Sequence, residues 1–242
     1  MKNKIKPYQK DKTSKKEQIA KMFDNIAARY DFLNHFLSLG IDIIWRKIAV
    51  REIAKINPKI ILDVATGTGD LAIEISKLKP KKIIGIDISN NMLNVGRKKM
   101  IKKSLDHLID MQYGDSENLN FNDNTFDAIT AGFGVRNFEN LDKGLKEIYR
   151  VMKCGGKLAI LEPSEPKIFP FKQFYGLYFK GILPLLGNFF SKDNSAYEYL
   201  PNSVVEFPSR EAFVRELEKV GFKDSKFKSL TFGIAALYTA SK

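Results

Sequence analysis

The order of hydrophobic and polar positions predicts an alternation of helices and short strands along most of this chain. Near the start, Ser14 and Glu17 form a capping box, and apolar residues then recur at helical spacing. A second helix is predicted from about Asp42 to Ile56. Both helices precede the first predicted strand, so we expect residues 14–57 to form a helical cover over the crevice at one edge of a sheet.

Five short apolar segments follow, and helical or turn patterns separate them. They cover residues 60–64, 82–87, 109–113, 126–131 and 157–162. Strands that alternate with helices indicate a parallel sheet with helices on both faces. Two last β-rich segments, 222–230 and 234–240, have no helix between them and are predicted to form an antiparallel hairpin at the sheet edge. The expected fold is therefore α/β, a doubly wound and mostly parallel sheet of seven strands.

The pattern is interrupted between residues 163 and 207, a segment rich in aromatic residues and prolines that we call the insert. We interpret the insert as a helical lid. Its apolar residues pack as the core of this lid, or they present an apolar face with lysines to an anionic membrane. The lysine-rich residues 1–13 are predicted to be disordered. Residues 14–242 then form a single domain.

One stretch between the first strand and the helix after it points to a ligand. Gly67 and Gly69 allow a sharp turn and let a ligand approach the backbone closely. A strand, a glycine turn and a helix form the nucleotide-binding corner of doubly wound sheets. With Ala72, and with Asp87 about 20 residues further on, the stretch also fits a dinucleotide fingerprint.

Charge separates the two ligand classes. A dinucleotide places its pyrophosphate at the helix start, where Asp70 would repel it, and Asp63 ends the preceding strand. S-adenosyl-L-methionine lacks phosphate and carries an ammonium and a sulfonium, which two carboxylates attract. We therefore favour S-adenosylmethionine and predict that Asp63, Gly67 and Gly69 bind it. An NAD-dependent oxidoreductase is the alternative.

The amino-acid composition limits which macromolecules, metals and membranes this protein is expected to bind. The 242 residues carry a net charge of +12, which fits a nucleic acid, an anionic membrane or simple solubility. No aromatic-basic motif or recognition helix favours a nucleic-acid-binding module, so no nucleic acid is expected. One cysteine and two histidines allow neither an internal disulfide nor a Cys/His metal site, and no metal is expected. With no signal peptide and no apolar run of about 18 residues, a cytoplasmic protein is predicted.

Several stretches resemble those of one enzyme family over nearly the whole chain after residue 13. They are M-F-D-N-I-A-A-R-Y-D-F-L-N at 22–34, I-L-D-V-A-T-G-T-G-D at 61–70, G-I-D-I-S-N-N-M-L at 85–93, F-G-V-R-N at 133–137 and Y-R-V-M-K-C-G-G at 149–156. The chain resembles the ubiquinone/menaquinone biosynthesis C-methyltransferases. The resemblance implies a Rossmann-like class I fold and methylation of a ring carbon of a polyprenyl quinol in a bacterial cell. Demethylmenaquinol is the favoured acceptor, and a ubiquinone precursor or another small aromatic acceptor is the alternative.

The resemblance also implies donor-binding positions at Thr68, Asp87, Asp115 and Ser116. Asp87 ends the second strand, where its carboxylate can accept both ribose hydroxyls, and Asp115 and Ser116 end the third, near the adenine. Asp115-Ser116 stands where the family often has Asn-Ala. Gly132 stands where it often has Ser, so a donor contact at Gly132 is expected without a side chain.

Catalysis requires a phenolate, because a ring carbon is a poor nucleophile until the neighbouring phenol, which titrates near ~10, loses its proton. Arg136 is the candidate for stabilising this phenolate, unless it forms a structural pair with Asp31 or Glu139. Asn137 can bond the second ring oxygen. Tyr30 is predicted to contact the donor or the quinol, with core packing as the alternative. A peripheral membrane contact through the insert and a homodimer are further expectations.

Overall fold

Seven strands form a single sheet in the computed structural model, which describes residues 5–177 and 195–242. The strands are β1 Ile60–Val64, β2 Lys82–Asp87, β3 Ile109–Tyr113, β4 Phe126–Gly132, β5 Met152–Pro163, β6 Lys223–Leu230 and β7 Ala235–Ser241. Their order across the sheet is β3-β2-β1-β4-β5-β7-β6. Strands β1 to β5 are parallel, and β7 lies antiparallel between β5 and β6. The predicted α/β fold and its antiparallel hairpin are confirmed.

Helices cover both faces of this sheet. They are α1 Lys15–Ile26, α2 Tyr30–Leu37, α3 Ile41–Ala54, α4 Asp70–Ser76, α5 Asn90–Lys102, α6 Leu141–Val151, α7 Phe171–Leu177, α8 Ser195–Glu206 and α9 Glu211–Val220. In β1, Ile61 packs with Ile53 of α3 and Leu62 packs in the opposite cluster with Leu145 of α6. Neighbouring residues of one strand are thus buried on opposite faces, as a parallel sheet between two helix layers requires.

The fifth strand begins earlier than the sequence predicts. Helix α6 ends at Val151, and β5 starts at Met152, which pairs with Phe126. The register then shifts before Lys157 pairs with Ala128, so the residues between form a bulge in which Gly155 has a φ of 75°. The cysteine and glycines that were predicted to stop the helix lie in this bulge.

The N-terminal part of the chain carries an ordered extension. Helix α1 begins with the predicted capping box of Ser14 and Glu17. Before it, the Tyr8 N–H donates to Oε1 of Gln18 at 3.0 Å, and Nε2 of Gln18 donates to the Asp11 carbonyl at 2.9 Å. Residues 5–13, part of the segment predicted to be disordered, therefore lie against α1, while residues 1–4 fall outside the described residues. The aromatic segment after α1 is a separate helix, α2.

The insert is described at its two ends. Helix α7 lies at its start and α8 near its end, where Tyr199, Val204 and Phe207 are buried. The central part of the predicted lid, residues 178–194, lies outside the described residues. Among the helices of the described ranges, none is both long and apolar enough to cross a membrane.

Candidate active site

A cavity opens at the carboxyl ends of β1, β2 and β4, where a doubly wound sheet binds its ligands. Its empty volume is about 650 Å³ with the open mouth included, which is in the range of small-molecule sites. Lys16, Ile19 and Phe23 of α1 form one wall, so part of the predicted cover closes the crevice. Ile88, Met92 and Phe138 supply further apolar surface.

Most of the residues that the sequence predicts as site residues line this cavity. They are Tyr30, Gly67, Asp87, Asp115, Ser116, Gly132 and Asn137. The lining does not include Asp63, Thr68, Gly69 or Arg136. The predicted contacts of these four residues with a ligand therefore stay predictions.

The glycine turn has the predicted geometry. Gly67 and Gly69 have φ angles of 56° and 84°, which disfavour any residue with a side chain. The Gly69 N–H donates to the Thr66 carbonyl at 2.9 Å and closes the turn. A Cβ atom at Gly67 would lie 3.8 Å from Cε1 of Tyr30, so the tyrosine ring rests over the turn and faces the cavity.

Asp87 holds the turn from the neighbouring strand. Its Oδ2 accepts a hydrogen bond from the Gly67 N–H and its Oδ1 from the Ser89 N–H, each at 2.8 Å. Burial raises the pKa of Asp87 to about 6, and the backbone N–H groups oppose this rise. At neutral pH the group is mainly a carboxylate, so it can still accept hydrogen bonds from a ligand in the cavity.

Asp63 lies beneath the turn and ties it to β4. Its two carboxylate oxygens accept hydrogen bonds from the hydroxyls of Thr66 and Thr130, each at 2.6 Å. The residue has no exposed surface, and burial raises the pKa of its carboxyl to about 6. The geometry therefore gives Asp63 a place in shaping the turn, and its predicted contact with a donor stays a prediction.

Asp70 does not line the cavity either. Its Oδ1 lies 2.7 Å from Nζ of Lys99, which pairs in addition with Asp31 and donates to Thr68 Oγ1 at 3.1 Å. The ammonium of Lys99 therefore compensates the negative charge of Asp70, which was expected to attract a cationic ligand. The electrostatic preference of the cavity must come from other residues.

Those residues lie on the lining itself. Asp87, Asp115, Glu117 and Glu139 face the cavity or its rim, and Lys16 is the single cation that the described residues contribute to this lining. A surplus of carboxylates in a partly enclosed site favours a cationic ligand and disfavours a phosphate. The cavity is therefore still expected to prefer a cationic ligand, but because of the acids on its lining and not because of Asp63 and Asp70.

Lys16 is a site residue that the sequence analysis missed. Its Nζ lies 2.6 Å from Oδ2 of Asp115 and 3.5 Å from Oε2 of Glu117. The Glu117 N–H donates to Oδ1 of Asp115 at 2.9 Å. Both carboxylate oxygens of Asp115, the residue predicted to contact the adenine, are therefore held in place by protein groups. Asp115 follows Lys16 by 99 positions, and no sequence pattern connects them.

Arg136 lies in a short 3₁₀ turn, Val135–Asn137, and its guanidinium is buried behind the cavity. Nη1 lies 3.0 Å from Oε2 of Glu162 and also contacts the Phe133 carbonyl, and Nε donates to Ser203 Oγ at 3.3 Å. The ion-pair partner of Arg136 is therefore Glu162, and not Asp31 or Glu139 as the alternative prediction had it. Burial raises the pKa of Glu162, and the guanidinium opposes the rise.

Asn137 connects this turn to the insert. The Tyr199 hydroxyl on α8 donates to Oδ1 of Asn137 at 3.2 Å, and both residues are buried. Because Asn137 lines the cavity, its amide orientation at the cavity surface depends on a helix of the insert. Tyr199 and Ser203 were not predicted, since neither belongs to a motif.

Comparison with known proteins agrees with this architecture. The model of the ubiE/COQ5 methyltransferase family matches residues 11–242. Demethylmenaquinone methyltransferase of Bacteroides fragilis is 52% identical over 240 residues, which cover 99% of this chain and 98% of the relative. The chain belongs to the ubiE/COQ5 methyltransferase family. A ubiquinone/menaquinone biosynthesis C-methyltransferase of Geotalea daltonii is 49% identical over 232 residues, 95% of this chain and 98% of the relative.

A solved structure supports the fold of this family member. A SAM-dependent methyltransferase from Aquifex aeolicus superimposes with a TM-score of 0.56 at 21% identity, over 79% of this chain and 88% of that one. This likeness supports the α/β fold of a SAM-dependent methyltransferase for this chain. In the described ranges, no three His, Cys, Asp or Glu side chains are grouped to hold a metal ion, and the expectation of no metal stays a prediction.

Proposed function

We propose that this enzyme transfers a methyl group from S-adenosylmethionine to a ring carbon of demethylmenaquinol and so forms menaquinol in a bacterial cell. The observation that carries the proposal is the 52% identity, over nearly the full length of both chains, with a demethylmenaquinone methyltransferase. The cavity with its carboxylate surplus supports the cationic donor, and this charge argues against an NAD-dependent oxidoreductase.

The residues on the lining fit the donor. Asp115 and Ser116 would hold the adenine edge between the apolar side chains of Ile88 and Met92. Asp87 would accept hydrogen bonds from the two ribose hydroxyls, and the Gly67 backbone allows the close approach that these contacts need. The donor would supply an electrophilic methyl group on a sulfonium.

The acceptor end is assigned to Tyr30, Asn137 and Arg136. Tyr30 and Asn137 reach the cavity surface, where their polar groups would bond the two ring oxygens of the quinol. Burial raises the pKa of Tyr30, so its hydroxyl stays protonated and can donate. The charge of Arg136 lies behind Asn137 and would favour the phenolate form of the quinol, and thereby raise the nucleophilicity of the ring carbon.

The insert would bring the enzyme to its apolar substrate. Ile168, Phe169 and Leu177 are more than half exposed, and Lys167 and Lys172 of the same segment are exposed as well. An apolar face with lysines suits the surface of an anionic bilayer, where a polyprenyl quinol resides. A peripheral contact at the inner face of the membrane and a cytoplasmic location belong to this proposal. The homodimer and the absence of nucleic-acid binding stay predictions.

A methylation assay tests the function. Purified enzyme receives short-chain demethylmenaquinol and S-adenosylmethionine carrying a labelled methyl group, and we expect one label per quinol on the ring carbon. A ubiquinone precursor serves as a second acceptor, because the Geotalea relative is named for both pathways. Titration with NAD is expected to give no binding signal. Label in neither acceptor, or binding of NAD with no binding of the methyl donor, would overturn the proposal.

A further inference from the structure

Lys99 of α5 reaches three parts of the structure at once. Its Nζ lies 2.7 Å from Oδ1 of Asp70 at the start of α4 and 3.1 Å from the Thr68 hydroxyl in the glycine turn. It also pairs with Asp31 of α2, and the Thr68 hydroxyl donates to the same Asp31 carboxylate. Lysine, threonine and aspartate thus form a closed ring of contacts.

This ring fixes the start of α2. Asp31 directly follows Tyr30, whose ring rests over Gly67 and lines the cavity. Helix α2 has no side-chain hydrogen bond at its N-cap, and Asp31 in its first turn contacts both Thr68 of the glycine turn and Lys99 of α5. Whatever secures Asp31 therefore also secures Tyr30 above the place where the methyl donor would lie.

We propose that Lys99 is a positioning residue that latches α2 over the glycine turn and thereby closes the donor end of the cavity. The inference rests on the proposed function, since the donor is what the closed cavity retains. Lys99 does not line the cavity and acts through Asp31 and Tyr30. Opening of the latch lets the donor enter and its product, S-adenosylhomocysteine, leave.

The surroundings of Lys99 distinguish its ion pairs with Asp31 and Asp70 from ordinary surface ion pairs. Ion pairs that are fully exposed contribute little. The side chain of Lys99 is only 16% exposed, and two carboxylates and a hydroxyl converge on it. The carboxylates of Asp31 and Asp70 keep 31% and 21% exposure, so dissolved ions still reach the latch. Added salt should therefore weaken the latch without removing it.

Titration calorimetry with S-adenosylhomocysteine tests the latch. We expect Lys99→Met to raise the Kd about tenfold. This is the increase that results if only about a tenth of the protein molecules keep the closed latch, because the apparent Kd is inversely proportional to that fraction. Lys99→Arg keeps the charge and should recover most of the affinity. Lys98→Met removes the same charge from an exposed neighbour on α5 and should leave the Kd within about 1.5-fold.

The dissociation rate supplies a readout that a merely stabilising contact would not move. In stopped-flow experiments, added NaCl should speed release of S-adenosylhomocysteine from the parent and from Lys98→Met. Lys99→Met should release it quickly at every salt concentration, because its latch is already open. If Lys99→Met does not fold, as judged by circular dichroism, Asp31→Asn carries the same test with the same expected loss.

The outcomes separate the latch from the donor assignment. A folded Lys99→Met or Asp31→Asn protein with the Kd and release rate of the parent overturns the latch alone, since the parent still binds the product. A parent that does not bind S-adenosylhomocysteine overturns the assigned donor and the latch together. Weaker binding in Lys98→Met to the same extent as in Lys99→Met also overturns the latch, because net charge would then explain both.

Discussion

The guanidinium of Arg136 and the carboxylate of Glu162 lie 3.0 Å apart, and their side chains are 7% and 0% exposed. The candidate for phenolate stabilisation is thus also half of a buried ion pair. Removing one partner of such a pair leaves an uncompensated charge in the interior. Loss of activity on mutation of Arg136 therefore has two possible causes, and an experiment must separate them.

We expect Arg136→Ala to abolish methylation and to lower the free energy of unfolding by about 3–5 kcal/mol, because Glu162 is left unpaired. The double variant Arg136→Met, Glu162→Leu removes both charges and should regain most of the stability, measured by urea unfolding. If Arg136 stabilises the phenolate, the stable double variant stays inactive while it still binds S-adenosylhomocysteine. Restored turnover in the double variant would show that the arginine serves the fold and not the reaction.

Asp87 makes donor affinity depend on pH. Its pKa is raised to about 6 by burial, whereas hydrogen bonds from ribose hydroxyls would favour the charged form and lower the pKa in the complex. Affinity should therefore reach its full value about one unit above this pKa and fall at lower pH, by at most about tenfold per pH unit. Calorimetric titrations with S-adenosylhomocysteine measure this dependence when they are repeated from about pH 8 down to about pH 5, with the pH lowered by about one unit each time.

Asp87→Asn provides the control for that titration. We expect it to bind roughly tenfold or more weakly at neutral pH, since a hydrogen bond to a charged group is lost, and to show little further loss as the pH falls. The carboxyl of Asp63 also has a pKa near 6 and does not line the cavity. An unchanged pH dependence in Asp87→Asn would transfer the effect to Asp63.

Tyr199→Phe tests the link between the insert and the acceptor end. The variant loses the hydroxyl that donates to Asn137 and keeps the ring, so Asn137 is less firmly oriented. One hydrogen bond of about 1 kcal/mol corresponds to roughly a fivefold loss, which we expect in kcat/KM for the quinol. The Kd for S-adenosylhomocysteine should not change, because Tyr199 does not line the cavity.

Tyr238→Phe is the matched control for Tyr199→Phe. Its hydroxyl accepts a hydrogen bond from the Arg210 N–H at 2.7 Å, in the core and away from the cavity lining. This variant should lower the thermal unfolding midpoint and leave both kinetic constants of the quinol unchanged. Equal kinetic losses in the two variants would mean that general loosening of the core, rather than Asn137, is responsible.

Gly134→Ala should disturb the glycine turn from the opposite side. A Cβ atom at Gly134 would lie 2.4 Å from the Cβ of Ala65, which lines the cavity and has a φ of 52°. A Cβ cannot rotate away, so the backbone must move, and we expect a loss of about 1–3 kcal/mol in unfolding free energy together with weaker donor binding. A Cβ atom at Gly176 would meet no atom of the described residues within 4 Å, so Gly176→Ala should be nearly neutral in both measurements.

Local pattern accounts for what the sequence predicted. The strand, the glycine turn and the helix after it are contiguous, and their hydrophobic periods identify them without knowledge of the rest of the chain. Asp87, Asp115 and Ser116 were implied as donor-binding positions by the resemblance to the family, and each follows a parallel strand, whose carboxyl end meets the others at one edge of the sheet. All three residues line the cavity.

Partner choice between distant side chains was not predictable in this way. The contacts Lys16–Asp115, Arg136–Glu162 and Lys99–Asp31 each join different elements, and their formation depends on how helices are placed on the sheet. Asp70 illustrates the consequence, because its position at a helix start suggested a ligand contact, whereas its carboxylate pairs with Lys99 and Arg46. Single-sequence reasoning identified the acids but could not say which of them are already neutralised.

The wall that α1 contributes to the cavity affects how the enzyme can be prepared. A protein trimmed to begin at residue 58 would retain all seven strands and the glycine turn. It would lack Lys16, Ile19 and Phe23, and with them one side of the enclosure. An affinity tag joined close to residue 5 would press on the same region, since residues 5–13 pack on α1. Tags are therefore better attached after Lys242, which pairs with Gly155 and Gly156 near the start of β5, at the edge of the sheet opposite to the cavity.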